Sequence, residues 1–122
     1  VLIGIGLDDN KQDVEWLVNK VLNLRVFNDS EGVMNKSLLD MNGELLLISQ
    51  FTLLALTKKG NRPSYIKSAN HQIAIPLYEY FIKTCKDQID DKVKTGTFGA
   101  DMKVSLINDG PVTIIIDSKN KE

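Results

Sequence analysis

The 122 residues carry 15 basic and 16 acidic side chains and are 43% apolar, a balance that excludes a disordered tail, a coiled coil or a collagen-like repeat. It also argues against a protein that grips a long stretch of nucleic-acid backbone, which needs a basic excess. The single cysteine, Cys85, excludes an internal disulfide and a cysteine-built zinc site, fits a reducing compartment, and no apolar run reaches the ~18 residues of a membrane span.

Residues 1–7 are apolar and β-branched with Gly4 and Gly6 interleaved, which predicts a buried strand whose backbone passes close to another element. The chain has no Met start and begins inside this run, so a truncated N-terminus lacking a strand or two is expected. Asp8-Asp9-Asn10 offers an N-cap and early acidic charge. Val14, Leu17, Val18, Val21 and Leu22 recur at helical spacing, predicting a helix from about residue 11 to 24. Arg25-Val26-Phe27 resumes extended backbone before a turn cluster at 28–32. Ser37-Leu38-Leu39-Asp40 leads into Met41-Asn42-Gly43, where Asn-Gly signals a hairpin, and Leu45-Leu46-Leu47-Ile48 reads as a strand buried on both faces.

Residues 57–63 form a polar loop with three cations. A second helix occupies part of 68–88, with Leu77, Tyr78, Phe81, Ile82 and Cys85 on one stripe and Pro76 near its start or at a kink. Residues 93–95, 102–107 and 112–116 read as strands, the last two alternating with a period of two around Asn108-Asp109-Gly110-Pro111. Residues 118–122 read as a frayed, charged tail. No repeat or linker interrupts the chain, so one α+β domain over 1–122 is predicted.

The usual catalytic inventory is thin. His71 is the sole histidine, has no cysteine pair or carboxylate cluster beside it, and reads as a helix-surface residue rather than a base or ligand. Cys85 falls on the apolar stripe and reads as packing. Neither a G-x-S-x-G elbow nor a G-x-x-x-x-G-K loop occurs. A side-chain triad, a metal site and a cofactor are therefore not expected.

Ser49-Gln50-Phe51-Thr52 stands out because polar residues follow directly on an aliphatic run, where a buried strand meets open space. Spacing alone is met as well by a strand that simply alternates, with Phe51 in the core and Thr52 exposed. A chemical role takes two forms. Thr52 could be a nucleophile, although no base lies near it in sequence, or the N–H groups around Phe51 and Thr52 could form an oxyanion hole. Gly110-Pro111 predicts a tight turn; its X–Pro bond can be cis, although trans is the commoner form. A cis turn would present two neighbouring carbonyl oxygens as a rigid rim that excludes one substituent and admits a hydrogen. Phe98-Gly99-Ala100-Asp101-Met102, small residues between large ones, suits a pocket wall or a turn into the next strand. Lys58, Lys59 and Arg62 are a solvated surface or a phosphate contact.

These stretches resemble the D-aminoacyl-tRNA deacylase family, whose signatures are S-Q-F-T-L and N-x-G-P-V-T. Both are intact, as Ser49-Gln50-Phe51-Thr52-Leu53 and Asn108-Asp109-Gly110-Pro111-Val112-Thr113. Gly60-Asn61-Arg62-Pro63-Ser64-Tyr65 and Thr95-Gly96-Thr97-Phe98-Gly99-Ala100-Asp101-Met102 match as well. Each stretch alone is weak; in this order over 1–118 they are specific.

The resemblance implies a curved mixed or antiparallel, barrel-like sheet with two main helices packed on it. It implies a homodimer in which each Gly110-Pro111 turn, in the cis form, reaches into the partner's pocket as a chiral gate. The implied activity is hydrolysis of the ester joining a D-amino acid, or glycine, to the terminal adenosine of tRNA, a proofreading step of translation in the cytoplasm. The adenosine 2′-hydroxyl would assist attack. Ser49, Gln50, Phe51 and Thr52 would hold the ester and adenosine, with the Phe51 and Thr52 amides facing the oxyanion. Asn108, Gly110, Pro111 and Val112 would form the gate; Phe98, Gly99, Ala100 and Met102 would form the substrate wall. Lys58, Lys59 and Arg62 would meet tRNA. Only the 3′ end of the tRNA needs gripping, which is compatible with a net charge of -1.

Two departures stand out. An N-terminal strand region of the family has no counterpart here, and Asn61 and Tyr65 replace a basic residue and a Phe common among relatives. Two other readings compete. One is a module that binds adenine-containing ligands or RNA ends without turnover. The other is a structural α+β dimer with a trans, solvent-facing turn at Gly110-Pro111.

Overall fold

The computed structural model describes residues 1–122. In chain order the elements are β1 (Leu2–Ile3), α1 (Lys11–Asn23), β2 (Phe27–Asn28), β3 (Met34–Lys36), β4 (Leu45–Ser49), α2 (His71–Ile89) and β5 (Val93–Thr95), with short 3-10 turns at Phe51–Leu54 and Asp90–Lys92.

Local chemistry accounts for both helix starts. The Asn10 side chain accepts from the Gln12 and Asp13 N–H groups at 2.9 and 3.3 Å, while the Asp13 carboxylate accepts from Asn10 N–H at 2.9 Å. This reciprocal box satisfies donors that a helix start leaves unpaired. Asn70 does the same for α2, accepting from Ile73 N–H at 3.1 Å. Pro76 lies inside α2, where its missing N–H forgoes the bond to the Gln72 carbonyl.

Val14, Val18 and Leu22 of α1 and Ala74, Leu77, Tyr78, Phe81, Cys85 and Ile89 of α2 are buried at helical spacing. With Ile3, Ile5, Leu38, Leu45, Leu47 and Val93 they make one cluster of 15 residues, the core between the helices and the sheet. Val18, Leu22 and Leu47 are fully enclosed, each worth about 1.5–3 kcal/mol in burial.

The sheet has the order β1-β4-β5 with all three strands parallel. Leu2 pairs with Ile48 and Ile3 with Ser49; Leu45, Leu46 and Leu47 pair with Val93, Lys94 and Thr95. Parallel neighbours need long crossovers, supplied by α1 with the antiparallel β2–β3 ribbon and by α2. Pairing is thus mixed, with two helices packed on the sheet. Within this sheet β1 and β5 are the edge strands.

Several sequence-based expectations differ from the structure. Of residues 1–7 only Leu2–Ile3 form a ladder, with an isolated bridge from Gly6 to Ser68. Residues 37–43 are a helical turn rather than a hairpin: Ser37 and Asp40 cap one another at 2.9 and 3.0 Å, and Asn42 ends the turn at φ 52°. β4 is not buried on both faces, because Leu46 is exposed between Leu45 and Leu47. Residues 102–107 and 112–116 form no strand. Next to their turn Pro111 has no N–H to give, and the Val112 N–H is taken by the Asn108 side chain at 2.9 Å, so the ladder cannot start there. Their apolar side chains stay exposed, Leu106 at 72%, Ile107 at 93% and Ile115 at 88%. The charged tail is not frayed: Lys119 bonds Asp13 at 2.7 Å and Lys121 sits 4.7 Å from the Trp16 ring centre.

Candidate active site

β4 delivers Ser49 to the end of the sheet, and Gln50 N–H makes a last rung to the Ile3 carbonyl at 2.7 Å. The backbone then winds into the 3-10 turn Phe51–Leu54, whose first internal bond is Leu53 N–H to the Gln50 carbonyl at 3.2 Å. The N–H groups of Phe51 and Thr52 precede that bond and so have no partner within the turn. Phe51 is not core: it is 57% exposed, while Thr52 is half-buried. The simple alternation that would have placed Phe51 inside fails because the chain leaves the strand at Gln50.

Three contacts fix this turn. Ser68 Oγ donates to the Phe51 carbonyl at 3.0 Å. The rings of Phe51 and Tyr65 meet edge-on at 4.9 Å. Gly4 lies flush against it: a Cβ there would stand 3.1 Å from Leu53 Cβ and 3.2 Å from the Gln50 carbonyl oxygen. This is the close backbone approach that the glycine-interleaved start predicts. Gln50 Nε2 donates to Thr52 Oγ1, so that hydroxyl is engaged within the turn itself.

In front of Ser49, Gln50 and Phe51 opens a cavity of about 600 Å³, within the ~300–1,000 Å³ typical of small-ligand sites. Phe98, Gly99, Ala100 and Met102 form another wall, with Ile3 and Ile5 of the N-terminal strand region behind. His71 meets Phe98 edge-on at 5.5 Å, and Phe98 in turn lies 5.6 Å from Tyr78. The Tyr78 hydroxyl donates to the Leu47 carbonyl at 2.8 Å, and burial raises its pKa. Phe98 is thereby wedged between α2 and the cavity.

Sequence reasoning missed Tyr65, Ser68 and His71 as cavity residues. His71 is exposed on the helix, as expected, but on the side that faces the cavity. The one usable signal was its place directly after the cap residue Asn70, since a first-turn side chain lies beside whatever precedes the helix.

Other expected site residues stand elsewhere. Thr52 is not on the cavity wall, and neither are Asn108, Gly110, Pro111 and Val112 of the same chain. The Gly110–Pro111 bond is cis, against the commoner trans form, and Gly110 has φ 143°. Asn108 spans the turn, accepting from Val112 N–H at 2.9 Å and donating to Thr113 Oγ1 at 3.1 Å. Lys58, Lys59 and Arg62 lie on an exposed loop pinched shut by Leu56 and Ser64, which exchange backbone bonds of 2.8 and 2.9 Å. None of the three joins an ion pair.

No three metal-ligating side chains gather anywhere in the fold. Cys85 is fully enclosed, and burial pushes its thiol up to about 12. No helix is long and apolar enough to cross a membrane.

The family model described as D-Tyr-tRNA(Tyr) deacylase matches residues 1–117. The D-aminoacyl-tRNA deacylases of Flavobacterium psychrophilum and Bacteroides fragilis are 62% and 61% identical to this chain over all 122 residues, which span 81% of each of those proteins. Among solved structures, the c-Myc DNA unwinding element binding protein superposes with a TM-score of 0.87 at 41% identity, over 93% of this chain and 76% of that one. A probable eukaryotic D-amino acid tRNA deacylase superposes with a TM-score of 0.65 at 16% identity, over 81% of this chain and 72% of that one, a likeness of fold. With its strand-end turn, its cavity and its spanned Gly110-Pro111 turn in place, this chain belongs to the D-Tyr-tRNA(Tyr) deacylase family.

Proposed function

We propose that this chain is a hydrolase that cleaves the ester of D-aminoacyl-tRNA, releasing free tRNA and a D-amino acid, as a chiral proofreading step of translation. The observation that carries the reading is a cavity of about 600 Å³ lined by Ser49, Gln50 and Phe51 at the start of the Phe51–Leu54 turn, where the Phe51 and Thr52 N–H groups have no partner within the turn. Backbone N–H groups aimed at a developing oxyanion lower the barrier to attack on an ester without a side-chain nucleophile.

The adenosine 2′-hydroxyl next to the ester would orient the attacking water. Water adds to the carbonyl carbon, the tetrahedral oxyanion rests on the Phe51 and Thr52 amides, and the C–O bond to the ribose 3′-oxygen breaks with a proton passing to that oxygen. Ser49 and Gln50 hold the ester, while Phe98, Gly99, Ala100 and Met102 flank the amino acid and adenosine. Lys58, Lys59 and Arg62, free of ion pairs, meet the acceptor-end phosphates. No metal or cofactor is called on.

The working unit in this reading is a homodimer of one-domain chains in the cytoplasm. Leu106, Ile107 and Ile115 are exposed on either side of the Gly110-Pro111 turn, more apolar surface than a free segment carries, and burial against a second copy offsets it. That contact brings Asn108, Gly110, Pro111 and Val112 to the partner's cavity. Their carbonyls would exclude an L side chain and admit D-aminoacyl or glycyl groups.

The deciding experiment is deacylation of matched D-, L- and glycyl-tRNA by the purified chain. Hydrolysis of the D-ester with the L-ester spared is expected. Rapid loss of the L-ester sinks the chiral gate, and binding of tRNA without any turnover sinks the enzyme.

A further inference from the structure

Residues 103–122 hold on to the rest of the protein at one polar place. They make no backbone hydrogen bond outside themselves, and the Lys103–Asp101 pair is local. The exception is Lys119. Its Nζ donates to Asp13 Oδ2 at 2.7 Å and lies 3.9 Å from Asp9 Oδ1, spanning 106 residues of sequence. Lys121 adds a cation over the Trp16 ring at 4.7 Å. The Asp13 side chain is 12% exposed and that of Lys119 46%, so the pair is held at a fixed place on the body while salt still reaches it from the lysine side.

The anchor is also wired to the site. Asp9 Oδ2 accepts from Gly6 N–H at 2.7 Å; Gly6 stands opposite Ser68 between two backbone bonds, Leu7 N–H to the Lys67 carbonyl at 3.3 Å and Ala69 N–H to the Ile5 carbonyl at 2.8 Å; and Ser68 holds the Phe51 carbonyl at 3.0 Å. The root of the Gly110-Pro111 arm and the turn that carries the Phe51 and Thr52 amides are therefore both fastened to this paired backbone, one through Asp9 and the other through Ser68.

We propose that Lys119, clasped by Asp13 and Asp9, is a positioning residue: it sets where the arm bearing Gly110 and Pro111 leaves the body and thereby sets discrimination between D- and L-esters. The proposal rests on the deacylase reading, because discrimination is what the arm is taken to perform. Lys119 touches no cavity residue, so its effect is on placement and not on the reacting atoms.

The test compares the full chain with Lys119→Met, which keeps most of the stem and removes the charge, and with Lys119→Arg, which restores it. The ratio of D- to L-ester hydrolysis should fall about tenfold in Lys119→Met, short of the roughly hundredfold cost of a misplacement of about 1 Å, and should return in Lys119→Arg with an unchanged melting temperature. Raising the salt concentration should lower the ratio in the natural chain and leave Lys119→Met flat. An unchanged ratio in Lys119→Met overturns the proposal, as does a loss that Arg fails to restore or that follows a drop in melting temperature. If the natural chain hydrolyses neither ester, the deacylase reading fails. The clasp is then judged by limited chymotrypsin cleavage within residues 104–116: faster cleavage in Lys119→Met supports it and equal cleavage overturns it.

Discussion

The hydroxyl of Ser68 donates to the carbonyl oxygen of Phe51 at 3.0 Å across a separation of 17 residues. That carbonyl shares its planar peptide unit with the N–H of Thr52, and in a trans unit the two point in opposite directions. A bond that holds the oxygen therefore aims the amide. Ser68→Ala should cost about 0.5–1.5 kcal/mol of stability for one lost hydrogen bond. It should lower kcat about tenfold with KM little changed, less than the ~10²–10³ lost with a whole oxyanion donor. Ser68→Thr should recover most of the rate, and single-turnover kinetics on D-aminoacyl-tRNA measures both.

Thr52 offers the opposite expectation. Its Oγ1 accepts from Gln50 and it lies off the cavity wall, so Thr52→Ala should slow turnover by less than about tenfold. A hydroxyl nucleophile removed from a covalent mechanism would abolish turnover. Intact substrate binding with turnover gone would establish Thr52 as that nucleophile and displace the backbone-amide mechanism.

At Gly110 the backbone conformation itself is restrictive. With φ at 143°, and with an added Cβ falling 2.8 Å from Val112 Cγ2 and 3.0 Å from Val112 N, Gly110→Ala must shift the turn. Residues with a Cβ rarely adopt such a φ. The expected outcome is loss of discrimination, read as a rise in L-ester hydrolysis relative to D-ester, with the melting temperature of the body nearly unchanged. Equal D-to-L ratios in the variant and the natural chain would remove Gly110 from the gate.

What could be read from the residues in advance divides along local and non-local lines. Asn10 and the apolar stripes announced both helices to within a few residues because caps and 3.6-residue periodicity are properties of short stretches. The alternation in 102–107 and 112–116 was equally visible but misled, since a strand also needs a neighbouring edge to bond, and these segments pair with neither open edge of the sheet. Around the cavity, Ser49, Gln50 and Phe98 were legible through the signature stretches. Ser68 and His71 were not, because their roles arise only when the start of α2 is folded against β4 and the Phe98 wall. Lys119 looked like tail, and its partner is 106 residues away.

The loop cations should act on the RNA and not on the chemistry. Replacing Lys58, Lys59 and Arg62 together by Ala should raise KM for D-aminoacyl-tRNA and flatten its salt dependence, with up to about one unit of log–log slope lost per phosphate contact. Hydrolysis of a D-aminoacyl-adenosine, which lacks the acceptor-stem phosphates, should be unaffected. A drop on that short substrate as well would place these residues in the active site.

Cys85 supplies a pH and reactivity test of the core. Its thiol is pushed up to about 12 by burial, above the ~8.5 of an unfolded cysteine. The folded state thus disfavours the thiolate, and its contribution to stability is complete below about pH 8.5 and is lost as pH rises toward the folded value. Chemical denaturation should show stability falling from pH 8 to pH 10 in the natural chain and falling less in Cys85→Ala. A thiol reagent at pH 8 should label the native protein only at the rate of its unfolding; rapid labelling would show the α2 stripe to be open.

Parallel pairing of β1 with β4 and of β4 with β5 also sets when the enzyme can exist. Leu2 has to wait for Ile48, Leu45 for Val93, and the cavity for Phe98 and Met102, each a contact between residues far apart in sequence. A nascent chain still short of Met102 carries the Ser49-Gln50-Phe51-Thr52 stretch but no site around it. Until the ribosome has elongated it past Met102, such a chain has no means to cleave esters.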